Sequence, residues 1–310
     1  MGLGDVDMDM DMGLGMGLDR MAMARIDMGQ KVVDHKVVGR GGIGRRIIRL
    51  DEVDSTNIFA RKLAEEGEPE GTCVVAERQT AGRGRMKRVW FSPGGGLWFS
   101  MILRPGVVAG SAGQVGLIGA LAVARVLRRI AEIDARVKWP NDVVVEGRKL
   151  CGVLAEARIA GDRIEYIVLG MGLNIRIRRD EFPEELQGRA TSILAEIEPR
   201  LASEPDSQAE LEQQPELDPD NVLDHILREF EALYDRYLAS GFADILRELE
   251  LLCCTLGSYV TVASGNRQVR GVARALSADG SLVIETSEGS ITISAGEIIG
   301  QVAGGTQGTR

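Results

Sequence analysis

The chain contains few of the residues from which metal sites and disulfide frameworks are built. Among its 310 residues are two histidines and four cysteines, namely His35, His225, Cys73, Cys151, Cys253 and Cys254. No pair of cysteines has the CxxC spacing, so a zinc site is not expected. The amino terminus lacks the basic and then apolar order of a signal peptide, and we predict a cytoplasmic protein with reduced thiols.

Positive charge is also in deficit. The chain has 37 Lys and Arg against 46 Asp and Glu, which gives a formal net charge of −9. Broad nucleic-acid binding usually needs a basic surface, so DNA is not an expected partner. No apolar run of about 18 residues is apparent, which argues against a membrane span. Hydrophobic residues nevertheless make up 44% of the chain, enough for a sizeable core.

Composition divides the chain into three parts. Residues 1–44 begin with repeated Met, Gly and Asp, and we predict a disordered tail with no room for a DNA-binding domain. Residues 45–250 form the main domain, with an acidic insertion at about 203–220 that contains no Lys or Arg. Residues 251–310 carry short strand patterns joined by Gly, Asn and Asp turns, which predicts a small β-barrel.

The main domain contains more strand than helix patterns. Helices are predicted at 57–66, 113–131 and 221–239. Strands are predicted at 45–50, 72–77, 97–104, 135–139, 142–157 and 164–170, with Glu146 and Gly147 as a hairpin turn inside the fifth. This balance predicts an α+β fold with a mixed or largely antiparallel sheet.

A glycine- and arginine-rich segment, 79-QTAGRGRMKRVWFSPGGGLW-98, lies between two predicted strands. Glycines allow the backbone to approach an anion, and the guanidinium groups of Arg83, Arg85 and Arg88 match phosphate oxygens in shape and charge. The segment therefore indicates a phosphate-binding loop. An exposed basic turn is the alternative interpretation.

The segment 138-KWPND-142 ends one short strand and begins a hairpin. Lys138 at this position can act as a fixed cation beside a developing negative charge. Asp142 can hold Mg²⁺ through one carboxylate, because this ion keeps waters and phosphate oxygens as its other ligands. The alternative is a β-turn with an ordinary surface lysine.

Glycines inside two predicted strands, and polar residues at the start of a predicted helix, are further candidates for ligand contact. The strands 149-KLCGVLAEA-157 and 168-VLGMGLNI-175 contain Gly152, Gly170 and Gly172. Glycine inside a strand often marks the close approach of a ligand or of other backbone, although a bulge in a tight sheet explains it too. The segment 54-DSTN-57 presents hydroxyl and amide groups that suit a polar ring such as a ureido group, or a simple helix cap in which Thr56 is the capping residue.

Taken in order, DSTN, QTAGRGR followed by Trp90, KWPNDV with KLCGVL, and GMGLNI resemble the motifs of the biotin protein ligase family. The resemblance covers residues 45–195 strongly and 221–303 weakly. It implies a catalytic domain related to class II aminoacyl-tRNA synthetases, with a mixed sheet flanked by helices, and a small SH3-like barrel after it. It also implies a ligase without an N-terminal DNA-binding domain. Such an enzyme activates biotin with ATP and Mg²⁺ and transfers it to a lysine of a biotin carboxyl carrier protein, as in acetyl-CoA carboxylase. A homodimer is a further expectation.

The resemblance also implies roles for individual residues. Those expected at biotin are Ser55, Thr56, Asn57, Gln79, Gly82, Arg83, Lys138, Gly152 and Leu154. Those expected at ATP are Arg85, Arg88, Trp90, Lys138 and Asn174, with Asp142 at the metal. Lys138, Arg83 and Arg85 are the implied catalytic residues, with Lys138 between the biotin carboxylate and the α-phosphate.

Two other functions are compatible with parts of the pattern. A lipoate ligase or lipoyl transferase has a related fold, but the GRGR loop together with KWPND argues against it. A regulator that binds biotinyl-adenylate without turnover would be expected to carry a DNA-binding segment or an altered lysine, and the sequence indicates neither.

Overall fold

The computed structural model describes residues 33–35, 42–201 and 214–302. Its larger sheet has eight strands in the order β1-β2-β3-β4-β8-β7-β6-β5. The strands are β1 Val33–His35, β2 Arg46–Val53, β3 Thr72–Gln79, β4 Gly96–Leu103, β5 Arg136–Lys138, β6 Asp142–Val145, β7 Arg148–Ala160 and β8 Arg163–Asn174. β2 and β3 are parallel and the other neighbours are antiparallel. The predicted mixed sheet is confirmed.

Five helices of the described residues accompany this sheet: α1 Thr56–Glu65, α2 Ala112–Ile130, α3 Ile193–Leu201, α4 Pro219–Ser240 and α5 Ala243–Leu252. Alternation along the strands supplies both faces of the sheet. On β3, Val74 packs in a cluster with Phe59 and Leu63 of α1, while Val75 joins the core formed with α2 and α4. The sheet is therefore covered by helices on both faces. The sequence did not predict β1, α3 or α5.

The small domain is a five-stranded antiparallel sheet in the order β12-β11-β10-β9-β13. Its strands are β9 Tyr259–Ser264, β10 Arg267–Leu276, β11 Leu282–Thr286, β12 Gly289–Ile293 and β13 Glu297–Val302. β13 was not predicted, but the expected SH3-like domain is confirmed. It is fixed to the large sheet through Trp139, whose backbone N–H donates to Thr255 Oγ1 at 3.0 Å and whose indole N–H donates to the Gly280 carbonyl at 3.1 Å.

Part of the predicted tail belongs to the fold. Val33–His35 pair with β2. Ile43 is buried and its backbone N–H donates to Glu231 at 3.0 Å, while Gly44 donates to the Gly71 carbonyl at 2.8 Å. The predicted boundary at residue 44 is therefore too late, because backbone pairing across the sheet was not visible in the composition. Residues 1–32 and 36–41 lie outside the described residues.

The acidic insertion predicted at 203–220 was also drawn too long. Residues 202–213 lie outside the described residues, but Leu217 is 1% exposed and its carbonyl accepts a 2.8 Å hydrogen bond from Arg176 Nε. The Asp218 side chain accepts from the Asp220 backbone N–H at 2.9 Å and so caps α4. This end of the segment is packed and capped, in contrast to the solvated loop that was predicted.

Replacement of Leu217 by alanine should therefore lower the free energy of unfolding by about 2–5 kcal/mol, as for other buried leucines. Leu238 on α4 is a matched control, because 44% of it is exposed and its truncation should cost no more than about 0.5 kcal/mol. Chemical denaturation of the two variants measures both values. Equal effects would mean that Leu217 contributes no core packing.

Helix α2 has a property that the sequence analysis did not anticipate. Together with the preceding turn, Ala109–Ile130, it is long and apolar enough to cross a membrane. In this fold 72% of its most apolar window is buried, where it packs against β7, β8 and α4. It is thus the central core helix of the large domain.

The four cysteines are free thiols in this structure. Burial raises the pKa of Cys73 to about 12 and also raises the pKa of Cys151. A thiol reacts through its thiolate, so these two side chains are inert packing groups at neutral pH.

Candidate active site

A cavity of about 330 Å³ lies between the start of α1, the loop after β3, the β5–β6 turn and the open face of β7 and β8. Every predicted site residue except Gly82 lies on its wall: Ser55, Thr56, Asn57, Gln79, Arg83, Arg85, Arg88, Trp90, Lys138, Asp142, Gly152, Leu154 and Asn174. Gly82 lies behind the wall, where a Cβ atom would come within 2.5 Å of both Ser92 Oγ and the Trp90 carbonyl. Segments up to 119 residues apart in sequence therefore meet in one cavity.

One end of the cavity is polar and is built around the first turn of α1. Thr56 is the first residue of the helix and Ser55 precedes it, but neither side chain caps it. The cap comes from Gln79 at the end of β3, whose Oε1 accepts from the Thr56 backbone N–H at 2.9 Å. The predicted capping role of Thr56 is thus wrong, and its hydroxyl is available for other partners.

The floor of the cavity is formed by Trp90, and the strand glycines make room for it. Gly152 and Gly172 are directly opposite each other on β7 and β8. A Cβ at Gly152 would lie 2.9 Å from the Trp90 ring, and one at Gly172 would lie 2.3 Å from Trp90 Nε1. Among the described residues, that buried indole N–H has no hydrogen-bond partner. The floor therefore offers an aromatic face, while the indole N–H is buried against β8.

Replacement of Gly172 by alanine should displace the indole and weaken nucleotide binding by about tenfold or more, since base stacking on an aromatic ring contributes roughly 1–3 kcal/mol. Gly116 on α2 is a matched control, because a Cβ there meets only the Ala155 methyl at 3.7 Å. Gly116→Ala should keep nucleotide affinity and add up to about 1 kcal/mol of stability. ATP titration by calorimetry separates the two outcomes, and unchanged affinity in Gly172→Ala would remove Trp90 from the nucleotide site.

Arg83, Arg85 and Arg88 of the loop each have an acceptor within the protein. Arg83 Nη2 lies 3.0 Å from Glu156 Oε1 on β7. Arg85 donates to Asn141 Oδ1 and to the Gly296 carbonyl, both at 3.1 Å. Burial lowers the pKa of Arg85, opposed by Asp142 and Glu297. Arg88 forms two 2.5 Å hydrogen bonds with Glu297, which raise its pKa.

The last two arginines therefore contact the small domain. Between them, Met86 and Lys87 have positive φ angles of 56° and 62°, a conformation that is costly for residues with side chains and is often found at functional sites. An anion that binds Arg85 or Arg88 must replace acceptors that already belong to the protein.

Two lysines line the cavity, and their environments differ. Lys149 Nζ lies 4.9 Å from the centre of a Trp90 ring and 2.7 Å from Asp142 Oδ1. Lys138 pairs with Asp142 through the backbone of β5 and β6. Burial raises the pKa of Cys254, at the start of the small domain, and the charge of Lys138 opposes this by lowering it. Lys149 is therefore the ammonium held over the aromatic floor.

Sequence reasoning did not select Lys149, although it stands first in KLCGVL. Regular alternation of side chains, counted back from Gly152, would have placed Leu150 on the cavity face and Lys149 in the core. A register shift between β6 and β7 at this point leaves Leu150 and Cys151 both fully buried. Such a bulge re-aims the side chains that precede it. Asn141, Arg189 and Glu297 on the cavity wall, and Glu156 behind it, were missed as well.

Few side chains among the described residues could coordinate Mg²⁺. No group of three or more His, Cys, Asp and Glu able to hold a metal exists among the described residues. Asp142 is a single carboxylate on the cavity wall, and its Oδ1 faces Lys149 without forming a well-aligned hydrogen bond. One carboxylate fits a magnesium ion whose other ligands are phosphate oxygens and water.

Comparison with known proteins agrees with this geometry. The sequence model of the Biotin/lipoate A/B protein ligase family matches residues 50–174, and that of the Biotin protein ligase C terminal domain matches residues 255–299. The Bifunctional ligase/repressor BirA of Bacillus spizizenii is 37% identical over 248 residues, which are 80% of this chain and 71% of that protein. This chain belongs to the biotin protein ligase family.

Two further relatives of this biotin protein ligase match over nearly their whole length. The Biotin--[acetyl-CoA-carboxylase] ligase of Paracoccus denitrificans is 30% identical, over 80% of this chain and 98% of that protein. The structure of the biotin protein ligase from Aquifex aeolicus in complex with biotin and ATP has a TM-score of 0.66 and 32% identity, and covers 83% of this chain and 98% of that chain.

Proposed function

We propose that this biotin protein ligase condenses biotin with ATP to biotinyl-5′-adenylate and then transfers biotin to a lysine of a carboxylase carrier domain. One observation carries the proposal: a single cavity joins a polar end at Ser55 and Thr56 to an aromatic and arginine-rich end at Trp90 and Arg85. The two ends suit the ureido ring of biotin and a nucleotide, respectively. The same two ligands occupy the Aquifex aeolicus enzyme.

In the first step, a biotin carboxylate oxygen attacks the α-phosphorus of ATP in line and pyrophosphate leaves. The carboxylate is already ionised at neutral pH, so this step needs no protein base. The obstacle is repulsion between two anions, which a fixed cation offsets. We assign this role to Lys138 at the end of β5, on the cavity wall. Lys149, whose Nζ lies 4.9 Å from the centre of a Trp90 ring, is a second cation of the same wall.

In the second step, the neutral amine of the carrier lysine attacks the acyl carbon of the adenylate. The acyl–phosphate bond breaks, AMP leaves with the bonding electrons and the amine loses its proton. Lys138, Lys149, Asp142 and Arg85 lie on the cavity wall at or beside the β5–β6 turn. The proton of the amine passes to solvent water.

Asp142 together with substrate phosphates would hold Mg²⁺, which would supply charge neutralisation at the triphosphate. The carrier, the cytoplasmic location, a homodimer and the absence of DNA binding stay predictions. Gel filtration with light scattering tests the homodimer, and biotinylation of an acetyl-CoA carboxylase carrier domain tests the acceptor.

The decisive test is biotin-dependent exchange of labelled pyrophosphate into ATP, followed by transfer to a carrier domain. Exchange with biotin and transfer to the carrier are expected. Exchange with lipoate in place of biotin would indicate a lipoate ligase, and adenylate binding without exchange would indicate a regulator. Either result would overturn the proposal.

A further inference from the structure

A continuous chain of polar side chains runs beneath the polar end of the cavity. Ser92 Oγ donates to the Trp90 carbonyl at 3.0 Å and accepts from Gln79 Nε2 at 2.9 Å. Gln79 Oε1 accepts from the Thr56 backbone N–H at 2.9 Å, and Thr56 Oγ1 lies 2.8 Å from Ser100 Oγ. Ser100 Oγ lies 2.8 Å from Asn57 Oδ1, and Asn57 Nδ2 donates to Glu156 Oε2 at 3.0 Å. Arg83 completes it at Glu156. Both ends of the chain, Trp90 and Arg83, belong to the arginine loop.

Glu156, whose contact with Asn57 Nδ2 at 3.0 Å is shorter than the 3.5 Å contact of the Leu154 carbonyl with the same nitrogen, sets the direction of these hydrogen bonds. An ionised carboxylate can only accept, so the Asn57 amide must turn its NH₂ group toward Glu156 and its oxygen toward Ser100. Ser100 has one hydroxyl proton, and it must donate that proton to Asn57. Ser100 then has no proton left for Thr56, so a hydrogen bond between these two hydroxyls can be donated only by Thr56.

The Thr56 hydroxyl proton therefore points away from the cavity, toward Ser100 or toward Gln79 Oε1 at 3.2 Å. Thr56 lies on the cavity wall, and it presents lone pairs there. That polarity suits an N–H group of a ligand and disfavours a carbonyl.

The packing of Asn57 fixes the position of its side chain, so the direction can reverse only by an exchange of its amide oxygen and nitrogen. Its side chain lies on Gly170 of β8, where an added Cβ would be 1.8 Å from Asn57 Oδ1. Asn57 is 5% exposed and Ser100 is fully buried. A buried polar chain of this kind is stable when every member is satisfied, and Glu156 is its only charged member besides Arg83.

We propose that Glu156 is a positioning residue for biotin: it fixes the hydrogen-bond polarity of the ureido end of the cavity and anchors Arg83 of the loop. Glu156 does not lie on the cavity wall, so it acts through Asn57 and Arg83. The inference rests on the proposed function, because it takes biotin as the ligand of the polar end.

Glu156→Gln is the first test, with Michaelis constants for biotin and ATP measured by pyrophosphate exchange. The neutral amide lets Asn57 adopt either orientation and weakens the hold on Arg83. We expect the KM for biotin to rise about tenfold or more, the scale of one charged hydrogen bond, while the KM for ATP changes less than about threefold. A KM does not depend on the folded fraction, so partial misfolding does not obscure the result.

An exchange of the two side chains supplies the second test. In Asn57→Asp with Glu156→Gln, residue 57 still accepts from Ser100 and residue 156 donates to it, so the direction is restored. Each single variant should raise the biotin KM, and the double variant should return it to within about threefold of wild type. Glu165→Gln is the control, since Glu165 pairs with Arg158 at 3.0 Å outside the cavity.

Three outcomes would overturn the assignment: a wild-type biotin KM in Glu156→Gln, equal increases for biotin and ATP, or additive losses in the double variant. Absence of biotin-dependent exchange in the wild type is a different result. It would refute the proposed function, whereas normal wild-type exchange with an unaffected Glu156→Gln refutes the role of Glu156 alone.

Discussion

Replacement of Lys138 by methionine is expected to slow biotinyl-adenylate formation by about 10²–10³-fold, the scale for loss of one electrostatic stabiliser of a transition state. Methionine keeps much of the length of the side chain and removes its charge. Since the ammonium acts on charge that develops at the α-phosphate, kcat should fall more than the affinity for biotin. Single-turnover formation of the adenylate, measured with labelled ATP, gives the rate directly.

Lys149→Met is the matched control, because Lys149 lies on the same wall and carries the same charge, which is paired with Asp142 at 2.7 Å. We expect a loss smaller than about tenfold, as for a charge that is not aimed at the reacting atoms. A small loss in Lys138→Met with a large one in Lys149→Met would move the catalytic role to the lysine above the aromatic floor.

The arginine loop should separate synthesis of the adenylate from its retention. Arg83→Gly and Arg85→Ala are expected to form biotinyl-5′-adenylate but release it roughly 10–150-fold faster, the range for one charge-assisted hydrogen bond of 1.5–3 kcal/mol. The released anhydride reacts with exposed amines, so bystander proteins should be biotinylated without a docking surface. Stopped-flow release of the adenylate and biotin blotting of an added unrelated protein measure the two effects.

Lys87→Ala provides the comparison within the same loop, since Lys87 is exposed and is not on the cavity wall. It should retain the adenylate. A wild-type release rate in both arginine variants would show that the loop does not hold the intermediate.

The structure changes the expected behaviour of this loop. Glycine-rich loops are often mobile until a ligand binds, yet Arg85 and Arg88 are held by the small domain and Arg83 by Glu156. Closure on the adenylate would then be an exchange of internal acceptors for phosphate oxygens. The ligand can shift the loop only by its advantage over those acceptors.

Much of the fold follows from local patterns. The hairpin at Glu146 and Gly147 forms where predicted, with φ angles of 49° and 81° that only a few residue types adopt readily. The predicted helices begin and end within about two residues of the observed ones, an ordinary margin for helix ends. Their amphipathic pattern depends on neighbours three and four positions apart, which the sequence displays directly.

The sequence by itself identified the four motif segments that meet in the cavity, because each has a distinctive local chemistry and a fixed order, but not the segments that bring Arg189 and Glu297 there. Tertiary structure alone decided which side chains face inward and what holds them. A one-residue bulge places Lys149 on the cavity wall, and Glu297 reaches Arg88 across 209 positions of sequence. Side-chain direction in a strand reverses with every residue, and contacts between distant segments depend on how sheet and barrel pack. Neither is encoded in the spacing of a motif.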